Sequence, residues 1–252
     1  MLQNIIDSCR YLLNNYPSAQ AVLEYLNTRL SEESQEKFQF GYFPGPEHLA
    51  ALTAMVSEKE LVDNKLLFIK SITDSLYHRT IKSGYFDEYP LIMPIRDVYG
   101  LPIALVGRTI IDEEVRKEKK MPKYKYTMDF TKTNNVFGLY ENKKNILNND
   151  CVYVVEGQID VIKAMERNFS NIVAIGGSSM SSYQFSLINR YTNNIILLLD
   201  NDEAGEKGRK SIVDKFGNYA NICNFYLPDG YNDIDEYFRR NLTDEIDLID
   251  KR

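Results

Sequence analysis

The sequence predicts an α/β fold in its C-terminal part, a parallel sheet flanked by helices, which is preceded by an α+β subdomain rich in basic residues. The first observation is a regular alternation of short apolar runs and amphipathic segments that begins at Cys151. Alternation of this kind is typical of βαβ units, whose helices cover both faces of a parallel sheet. The second observation is that the apolar runs 151–155 and 195–199 both end abruptly in acidic residues. Ligands bind at the carboxyl ends of the strands in such sheets, so these acids mark the expected site.

The alternation also predicts the individual elements of residues 150–240. We expect strands at 151–155, 172–175, 195–199 and 222–227, and helices at 159–167, 181–190, 203–216 and 233–240. Residues 241–252 are expected to be a short acidic tail with a frayed end, because they carry Asp244, Glu245, Asp247 and Asp250.

Residues 1–149 are expected to form an N-terminal helical and β-hairpin basic subdomain. Apolar spacing predicts two helices within 2–30, a short helix capped by Ser31, a helix at 46–56 and another that ends near residue 148. The apolar runs 91–97 and 103–108 flank a turn at Tyr99 and Gly100, which predicts a β-hairpin. Residues 112–125 contain six lysines and arginines, and we expect them to form a mobile loop.

Composition excludes several kinds of site and partner. The formal net charge is -6, so any nucleic-acid contact must come from a local basic surface. The 3 cysteines are far apart and there are 2 histidines, so we expect no zinc bound by this chain alone. Isolated cysteines also fit a reducing, intracellular compartment. No apolar run approaches the ~20 residues that span a bilayer, and the N-terminus lacks a signal-peptide pattern, so no membrane partner is expected.

Carboxylates at the strand ends predict a metal site. Asp200 and Asp202 are two residues apart after one strand, so an extended backbone would point both the same way. Glu156 follows a strand that the βαβ order makes a neighbour, and Asp160, Asp233 and Asp235 can reach the same edge. Converging carboxylates repel one another unless a cation holds them, and oxygen ligands favour Mg²⁺ or Mn²⁺. There are enough acids for two metal ions.

Helix capping is the alternative interpretation of the same acids, because aspartate is a preferred N-cap residue. For Asp200 and Asp202 taken alone, capping and metal binding are equally supported, and for Asp233 and Asp235 capping is favoured. Glycines at the strand-to-helix turns, Gly157, Gly176 and Gly177, fit either a phosphate contact or a plain tight turn. The chain contains neither the P-loop nor the dinucleotide-binding glycine motif.

Two motifs in this region resemble those of the TOPRIM domain, which primases, topoisomerases and some nucleases share. Val154-Val155-Glu156-Gly157 resembles the glutamate motif of that family, and Asp200-Asn201-Asp202 followed by Ala204-Gly205 resembles its aspartate motif. Upstream, Pro94-Ile95-Arg96-Asp97, Gly107-Arg108, Pro122-Lys123-Tyr124 and Phe137-Gly138-Leu139-Tyr140 resemble, in order, the basic segment of DnaG-type bacterial and phage primases.

The resemblance implies a DNA primase catalytic core that synthesises RNA primers on single-stranded DNA from ribonucleoside triphosphates. It implies catalytic roles for Glu156, Asp200 and Asp202, metal binding by these three with Asp160, Asp233 and Asp235, and phosphate contacts by Arg96, Arg108 and Lys123. No segment resembles the zinc ribbon or the helicase-docking domain of that family, so we expect a replicative helicase or a separate zinc-binding module as partner. The implied location is the cytoplasm of a bacterial or phage-infected cell.

Two other functions stay open at this point. A TOPRIM nuclease would use the same metal ions to hydrolyse a phosphodiester, although the basic hairpin segment favours a primase. A non-catalytic TOPRIM module that binds nucleic acid or a replication protein is the other alternative, and the intact set of carboxylates argues against it.

Overall fold

A computed structural model of the chain describes residues 2–74, 77–241, 246 and 248–250. The chain divides into two compact units. The first unit comprises Met1–Ile95 and Pro102–Phe130, and the second comprises Arg96–Leu101 and Thr131–Arg252. The tip of the predicted hairpin therefore belongs to the second unit, although the strands on either side of it belong almost wholly to the first.

The first unit combines short helices with a mixed set of strands. Its helices are α1 (Leu2–Asn15), α2 (Gln20–Asn27), α3 (Glu32–Lys37), α4 (Leu49–Thr53), α5 (Glu58–Asp63) and α6 (Glu113–Glu118). Its strands are β1 (Gly41–Tyr42), β2 (Leu67–Asp74), β3 (Tyr77–Gly84), β4 (Leu91–Arg96), β5 (Pro102–Arg108) and β6 (Tyr124–Tyr126). One sheet has the order β1-β4-β5-β6, and β2 pairs with β3 in a separate antiparallel ribbon.

Apolar periodicity predicts the elements of this unit that bury a face. Helix α1 buries Ile5, Ile6, Cys9, Leu12 and Leu13 on one side, as the spacing of these residues requires. Ser31 accepts a hydrogen bond from the Ser34 N–H, so the predicted cap is confirmed. Strands β4 and β5 confirm the hairpin.

The prediction of a mobile loop at 112–125 is wrong, because most of the segment is ordered as α6 and β6. Asp112 caps α6 by accepting the Glu114 N–H at 2.9 Å, and Lys117 pairs with Glu113 at 2.8 Å. Acidic residues in the first turn and basic residues in the last turn also favour a helix electrostatically. The helix buries none of its residues, so no apolar period revealed it.

The ribbon of β2 and β3 is an element that the periodicity did not predict. The signal of a half-buried strand is an alternation of apolar and polar residues. Here Phe68, Ile69 and Ile81 are all exposed, so the side chains follow no such alternation. The described side chains of the ribbon, those of 67–71 and 80–84, bury little apolar surface and therefore leave little pattern in the sequence.

The second unit is built around a mostly parallel sheet. Its strands are β7 (Val152–Val155), β8 (Ile172–Ala174), β9 (Asn194–Leu197), β10 (Asn221–Tyr226) and β11 (Ile249–Asp250), and its helices are α7 (Leu139–Asn149), α8 (Gln158–Met165), α9 (Ser182–Ile188), α10 (Glu203–Phe216) and α11 (Ile234–Arg240). The strand order is β11-β10-β9-β7-β8, and β10, β9, β7 and β8 run parallel. This confirms the predicted α/β fold, and β7 and β9 are neighbours as the βαβ order predicted.

The expectation of a frayed acidic tail is wrong for its last described residues. Ile249 and Asp250 form β11 and pair antiparallel with Tyr226 and Phe225. This pairing covers part of an edge of β10 that would otherwise be open. Asp244, Glu245 and Asp247 lie outside the described residues.

The core of the second unit lies between the sheet and its helices. Val154, Leu197 and Ile212 are buried in it, and the rings of Phe185 and Phe216 stack at a centroid distance of 4.3 Å. Within the described part of the chain, no helix has the length and apolar character needed to cross a membrane.

Gln184 joins the loop before α7 to the sheet. Its side-chain amide is fully buried and donates to the carbonyl oxygens of Asn135 at 2.9 Å and Ile175 at 2.8 Å, and more weakly to that of Lys132 at 3.3 Å. Its oxygen accepts the Ser181 N–H, which completes a capping box. One side chain thus provides hydrogen-bond partners for backbone groups of several segments.

We expect Gln184→Leu to lower the free energy of unfolding by about 2–3 kcal/mol, because buried carbonyl groups would lose their donor. Ser186→Ala on the exposed side of the same helix should change it by less than about 0.5 kcal/mol. Urea denaturation of both variants measures the difference. Equal stabilities of the two variants would contradict the role assigned to Gln184.

Candidate active site

Glu156 and Asp200 lie side by side at the carboxyl edge of the sheet. Glu156 follows β7 directly, and Asp200 lies in the loop that leaves β9. The two strands pair in parallel, and the Leu198 N–H donates to the Val154 oxygen at 2.9 Å beyond the end of β9. The backbone N–H of Asp200 then donates to the carboxylate of Glu156. The structure therefore brings together the two strand ends that the sequence singled out.

The environment of Glu156 opposes its ionisation. Burial raises the pKa of the Glu156 carboxyl, and the negative charge of Asp202 raises it further. The Asp200 N–H, Arg209 and Lys132 act in the opposite direction on this pKa. Oε1 of Glu156 is buried and has no hydrogen-bond partner. A buried carboxylate oxygen without a donor is a favourable ligand for a cation.

Asp160 is the centre of a second group of acids. It is buried in the first turn of α8, and its Oδ1 accepts the backbone N–H of Asp235 at 3.0 Å. Burial raises the pKa of Asp160 well above its usual range, and the charges of Asp233, Asp200 and Asp235 add to the effect. These predicted site residues therefore lie within electrostatic range of one another.

Helix capping accounts for two of the acids. Asp202 caps α10 by accepting the Gly205 N–H at 2.7 Å, and Asp233 caps α11 by accepting the Glu236 N–H at 2.7 Å. Asp235 lies inside α11 rather than at its cap, and it pairs with Arg239 at 3.2 Å. Each cap uses one carboxylate oxygen, which leaves the other oxygen of Asp202 and of Asp233 for a second role.

The carboxylate oxygens at this edge of the sheet form only part of a binding site for a hard divalent cation. In the part of the chain that the structure describes, no three acidic, histidine or cysteine side chains are arranged so that they could hold a metal ion by themselves. Mg²⁺ commonly keeps several water molecules and binds through one or two carboxylates together with substrate phosphates. The unpaired Oε1 of Glu156, with Asp200 and Asp202 close by, fits such an incomplete site.

Arg209 is a residue of this site that the sequence analysis missed. It lies in α10 and its side chain is 2% exposed, yet it donates to the backbone oxygens of Leu199 and Asp200. A lone arginine in an amphipathic helix carries no sequence signal of this kind. Only the packing of α10 against the strand end places its guanidinium beside the acids.

Lys132 is a second missed residue. Its ammonium donates to the Gly176 oxygen at 3.0 Å, and its charge lowers the pKa of Glu156. Gly176 and Gly177 have φ values of 78° and 158°, so the turn after β8 adopts a backbone that favours glycine. A cation beside this turn and near Glu156 is well placed to meet a phosphate.

The predicted basic contacts have different surroundings. Arg96 pairs with Glu141 at 3.0 Å, and both side chains are mostly buried. Arg108 is 8% exposed and lies over the rings of Tyr25 and Tyr124, and it donates to the Tyr124 hydroxyl. The burial of Arg108 favours a supporting role within the first unit.

Lys123 differs from the two arginines because it is exposed. Its ammonium lies 5.8 Å from the centre of the Tyr124 ring. It is therefore the predicted basic contact that a phosphate can reach most directly.

An open cleft of about 480 Å³ adjoins Asp202 in the second unit. Its walls come from the start of α10 and from the loop between β10 and α11, and they include Glu206, Tyr226 and Asn232. Asn232 also reaches Asp200, to whose carboxylate it donates at 3.5 Å. The cleft thus gives Asp202 access to solvent, and Asn232 connects its wall to Asp200.

A parallel sheet with acids at these strand ends defines the class of TOPRIM-like domains, and residues 153–238 match the family model described as Toprim-like. Residues 10–143 match the family model of the DNA primase catalytic core, N-terminal domain. The chain therefore belongs to the DnaG-type primase family. The predicted domain boundary at residue 149 lies between the two matched segments. The compact units divide elsewhere, at residue 130 and around the hairpin tip. The boundary at 149 therefore stays a prediction.

Known primases are similar to nearly the whole chain. The DNA primase of Aquifex aeolicus is 31% identical over 230 residues, which cover 88% of this chain and 43% of that protein. That of Synechococcus elongatus is 30% identical over 243 residues, which cover 89% of this chain and 33% of that protein. The chain thus spans less than half the length of these curated relatives.

Solved primase structures share the fold. The zinc-binding and RNA polymerase domains of the Aquifex aeolicus primase match with a TM-score of 0.75 and 28% identity, over 95% of this chain and 56% of that one. A DnaG primase catalytic domain bound to single-stranded DNA matches with a TM-score of 0.69 and 26% identity, over 95% of this chain and 78% of that one. These comparisons favour neither a nuclease nor a non-catalytic module.

The raised pKa of Asp160 has a consequence for stability. Since the pKa is higher in the folded state than in the unfolded state, the protein loses stability as the pH rises through the folded value. Asp160→Asn keeps an oxygen that accepts the Asp235 N–H and carries no charge. We expect this variant to be more stable than the wild type at neutral pH without divalent ions, and the gain should disappear at acid pH.

Urea denaturation between acid and neutral pH in the presence of a chelator measures this difference. The control is Asp214→Asn, which removes an exposed carboxylate of α10. Its effect should not follow the same pH dependence. A stability gain for Asp160→Asn that is independent of pH would contradict the electrostatic explanation.

Proposed function

We propose that the chain is a primase catalytic core that synthesises RNA primers on single-stranded DNA in the presence of Mg²⁺ or Mn²⁺. The observation that carries the proposal is the placement of Glu156 beside Asp200 and Asp202 at one edge of the sheet, in a chain of the primase family. A solved relative is a catalytic domain bound to single-stranded DNA, which supports the same template class here.

Metal ions, when bound, would neutralise charge on the triphosphate and lower the pKa of the attacking 3′-hydroxyl. Glu156, Asp200 and Asp202 would hold them, two ions being the expected number. The buried, unpartnered Oε1 of Glu156 is the ligand that the structure supports best. Asp160, Asp233 and Asp235 form the acidic rim behind these residues, and Asp160 also fixes the start of α11 through the Asp235 N–H.

The raised pKa of Glu156 is relevant to proton transfer. A carboxylate whose pKa lies nearer to neutrality is a better general base than an ordinary surface glutamate. In the absence of a cation, burial and Asp202 keep the pKa of Glu156 raised. A bound cation would lower this pKa again, so Glu156 would act first as a ligand of the cation, and assistance in removing the proton from the 3′-hydroxyl is the second role that we propose for it.

Basic residues would orient the phosphates. Lys132 lies near Glu156 and would meet the triphosphate of the incoming nucleotide. Lys123 and Arg96 would contact phosphates of the template or of the nucleotide, and Arg108 would support the segment that carries Lys123. For initiation on a natural template we propose a replicative helicase or a separate zinc-binding module as partner.

Primer synthesis tests the function directly. We expect labelled ribonucleotides to be incorporated on single-stranded DNA with Mg²⁺ or Mn²⁺, with a helicase or zinc-module partner added in parallel. Glu156→Gln should lower the rate about 100-fold or more, which corresponds to ~3 kcal/mol of transition-state stabilisation. Asp214→Asn should leave the rate unchanged. Metal-dependent loss of the labelled DNA without nucleotide incorporation would instead support a nuclease.

The two roles of Asp202 can be separated by a pair of variants. Asp202→Ala removes both the cap and the charge, so it should lose about 1 kcal/mol of stability together with activity. Asp202→Asn keeps an acceptor for the Gly205 N–H, so it should lose activity at nearly unchanged stability. Full activity of Asp202→Asn would show that Asp202 is only a cap.

The salt dependence of DNA binding tests Lys123. If its ammonium contacts a phosphate, Lys123→Ala should weaken binding equally for all sequences and should reduce the salt slope by about 1. Fluorescence anisotropy with labelled single-stranded DNA at several salt concentrations measures both. Lys59→Ala, which removes another exposed lysine of the first unit, is the control. An unchanged slope for Lys123→Ala would rule out the phosphate contact.

A further inference from the structure

The buried guanidinium of Arg209 has more than one kind of partner. Nη1 donates to the Asp200 oxygen at 3.1 Å, and Nη2 donates to the Leu199 oxygen. Nη1 also lies 3.3 Å from the carboxylate of Glu206, whose side chain is 56% exposed. An ion pair with so exposed a partner contributes little to stability. The two carbonyl contacts are therefore the part of the arrangement that requires an arginine.

The neighbours of Arg209 hold its planar guanidinium group in place. The guanidinium lies over the ring of Tyr226, 4.3 Å from the ring centre. A Cβ atom at Gly205 would lie 2.0 Å from the Asp200 oxygen and 3.3 Å from Nη1 of Arg209. Only glycine at this position lets α10 come close enough for the guanidinium to reach the strand end.

One peptide unit connects Arg209 to Glu156. The unit between Leu199 and Asp200 accepts a hydrogen bond from Arg209 at its carbonyl oxygen and donates one to the Glu156 carboxylate through its N–H. A trans peptide is planar, and its C=O and N–H point in opposite directions. A donor on the carbonyl oxygen also polarises the unit and strengthens the N–H as a donor.

We propose that Arg209 is a positioning residue of the catalytic site, which orients Glu156 and Asp200 by holding the peptide plane between Leu199 and Asp200. Its effect on catalysis rests on the function proposed above, whereas its effect on the metal ligands does not. The fork of the guanidinium is the essential feature, because two nitrogens in one plane serve two successive carbonyls. This role requires no contact of Arg209 with substrate or metal.

Three measurements on Arg209→Met and Arg209→Lys test this role. The first is hydrogen exchange of the Asp200 amide in metal-free protein, which should become faster in both variants. The second is Mn²⁺ binding without nucleotide, followed by electron paramagnetic resonance. The third is primer synthesis at saturating Mn²⁺, with kcat and the KM for nucleotides determined separately.

We expect Arg209→Met to bind Mn²⁺ about 10-fold more weakly and to have a kcat about 10-fold lower, which is typical for residues that orient metal ligands. The KM for nucleotides should stay within about twofold, since no contact with the nucleotide is lost. Arg209→Lys should lie between Arg209→Met and the wild type, because one ammonium cannot serve both carbonyls in the same geometry.

Two variants of the same helix are the controls. Lys207→Met removes an exposed cation that pairs with Glu203 on the same helix, and it should leave all three measurements unchanged. Ile212→Val makes a small gap in the core, so it should lower the melting temperature and leave Mn²⁺ affinity and kcat unchanged. Losses in Ile212→Val equal to those in Arg209→Met would overturn the proposal, because they would reflect stability alone.

The remaining outcomes are also decisive. Wild-type Mn²⁺ affinity and kcat in Arg209→Met, or unchanged exchange of the Asp200 amide, would overturn the proposal. If Arg209→Met does not fold, Arg209→Lys decides: intermediate values support the fork, and wild-type values reject it. A wild-type protein that makes no primers would refute the proposed function, while faster Asp200 exchange in the Arg209 variants would still support the positioning role.

Discussion

Burial of like charges at one edge of a sheet is the constraint on which the second unit depends. Asp160 is buried and Glu156 is half-buried, and both have raised pKa values because burial and neighbouring carboxylates oppose their ionisation. The fold reduces this cost with backbone N–H donors, from Asp200 to Glu156 and from Asp235 to Asp160. The site is thus stabilised mainly by the ends of the strands and helices that surround it.

The side chains proposed as metal ligands also stabilise the structure. Asp202 and Asp233 begin α10 and α11, and Asp160 fixes the first turn of α11 from a neighbouring helix. A carboxylate has two oxygens, so one oxygen can cap a helix while the other faces a ligand. This shared use explains why capping and metal binding could not be distinguished from the positions of these residues alone. It also means that loss of activity in an alanine variant does not by itself identify a ligand.

Cations near the site are of two kinds. Arg209 is enclosed by α10, Tyr226 and the strand end, so it acts on the acids through the backbone. Lys132 is exposed and lies beside the glycine turn after β8, where a phosphate can reach it. Arg96 and Arg108, the arginines predicted as phosphate contacts, are largely buried and have partners within their own units, whereas Lys123 is exposed. Position in the fold, more than residue type, separates these roles.

The sequence by itself determined the alternating strands and helices of residues 150–240, because a buried face imposes a period on the chain. It also placed Glu156 and Asp200 at strand ends, since apolar runs stop where strands leave the core. The βαβ order also predicted that β7 and β9 are neighbours. It did not reveal α6 or the ribbon of β2 and β3. The described side chains of these elements bury little apolar surface, so their apolar residues show no regular spacing in the sequence. Tertiary structure alone brought Arg209 and Lys132 to the acids. Contacts between residues distant in the chain leave no local pattern, so these two cations became visible only once α10 and the loop at 131–135 were packed against the sheet.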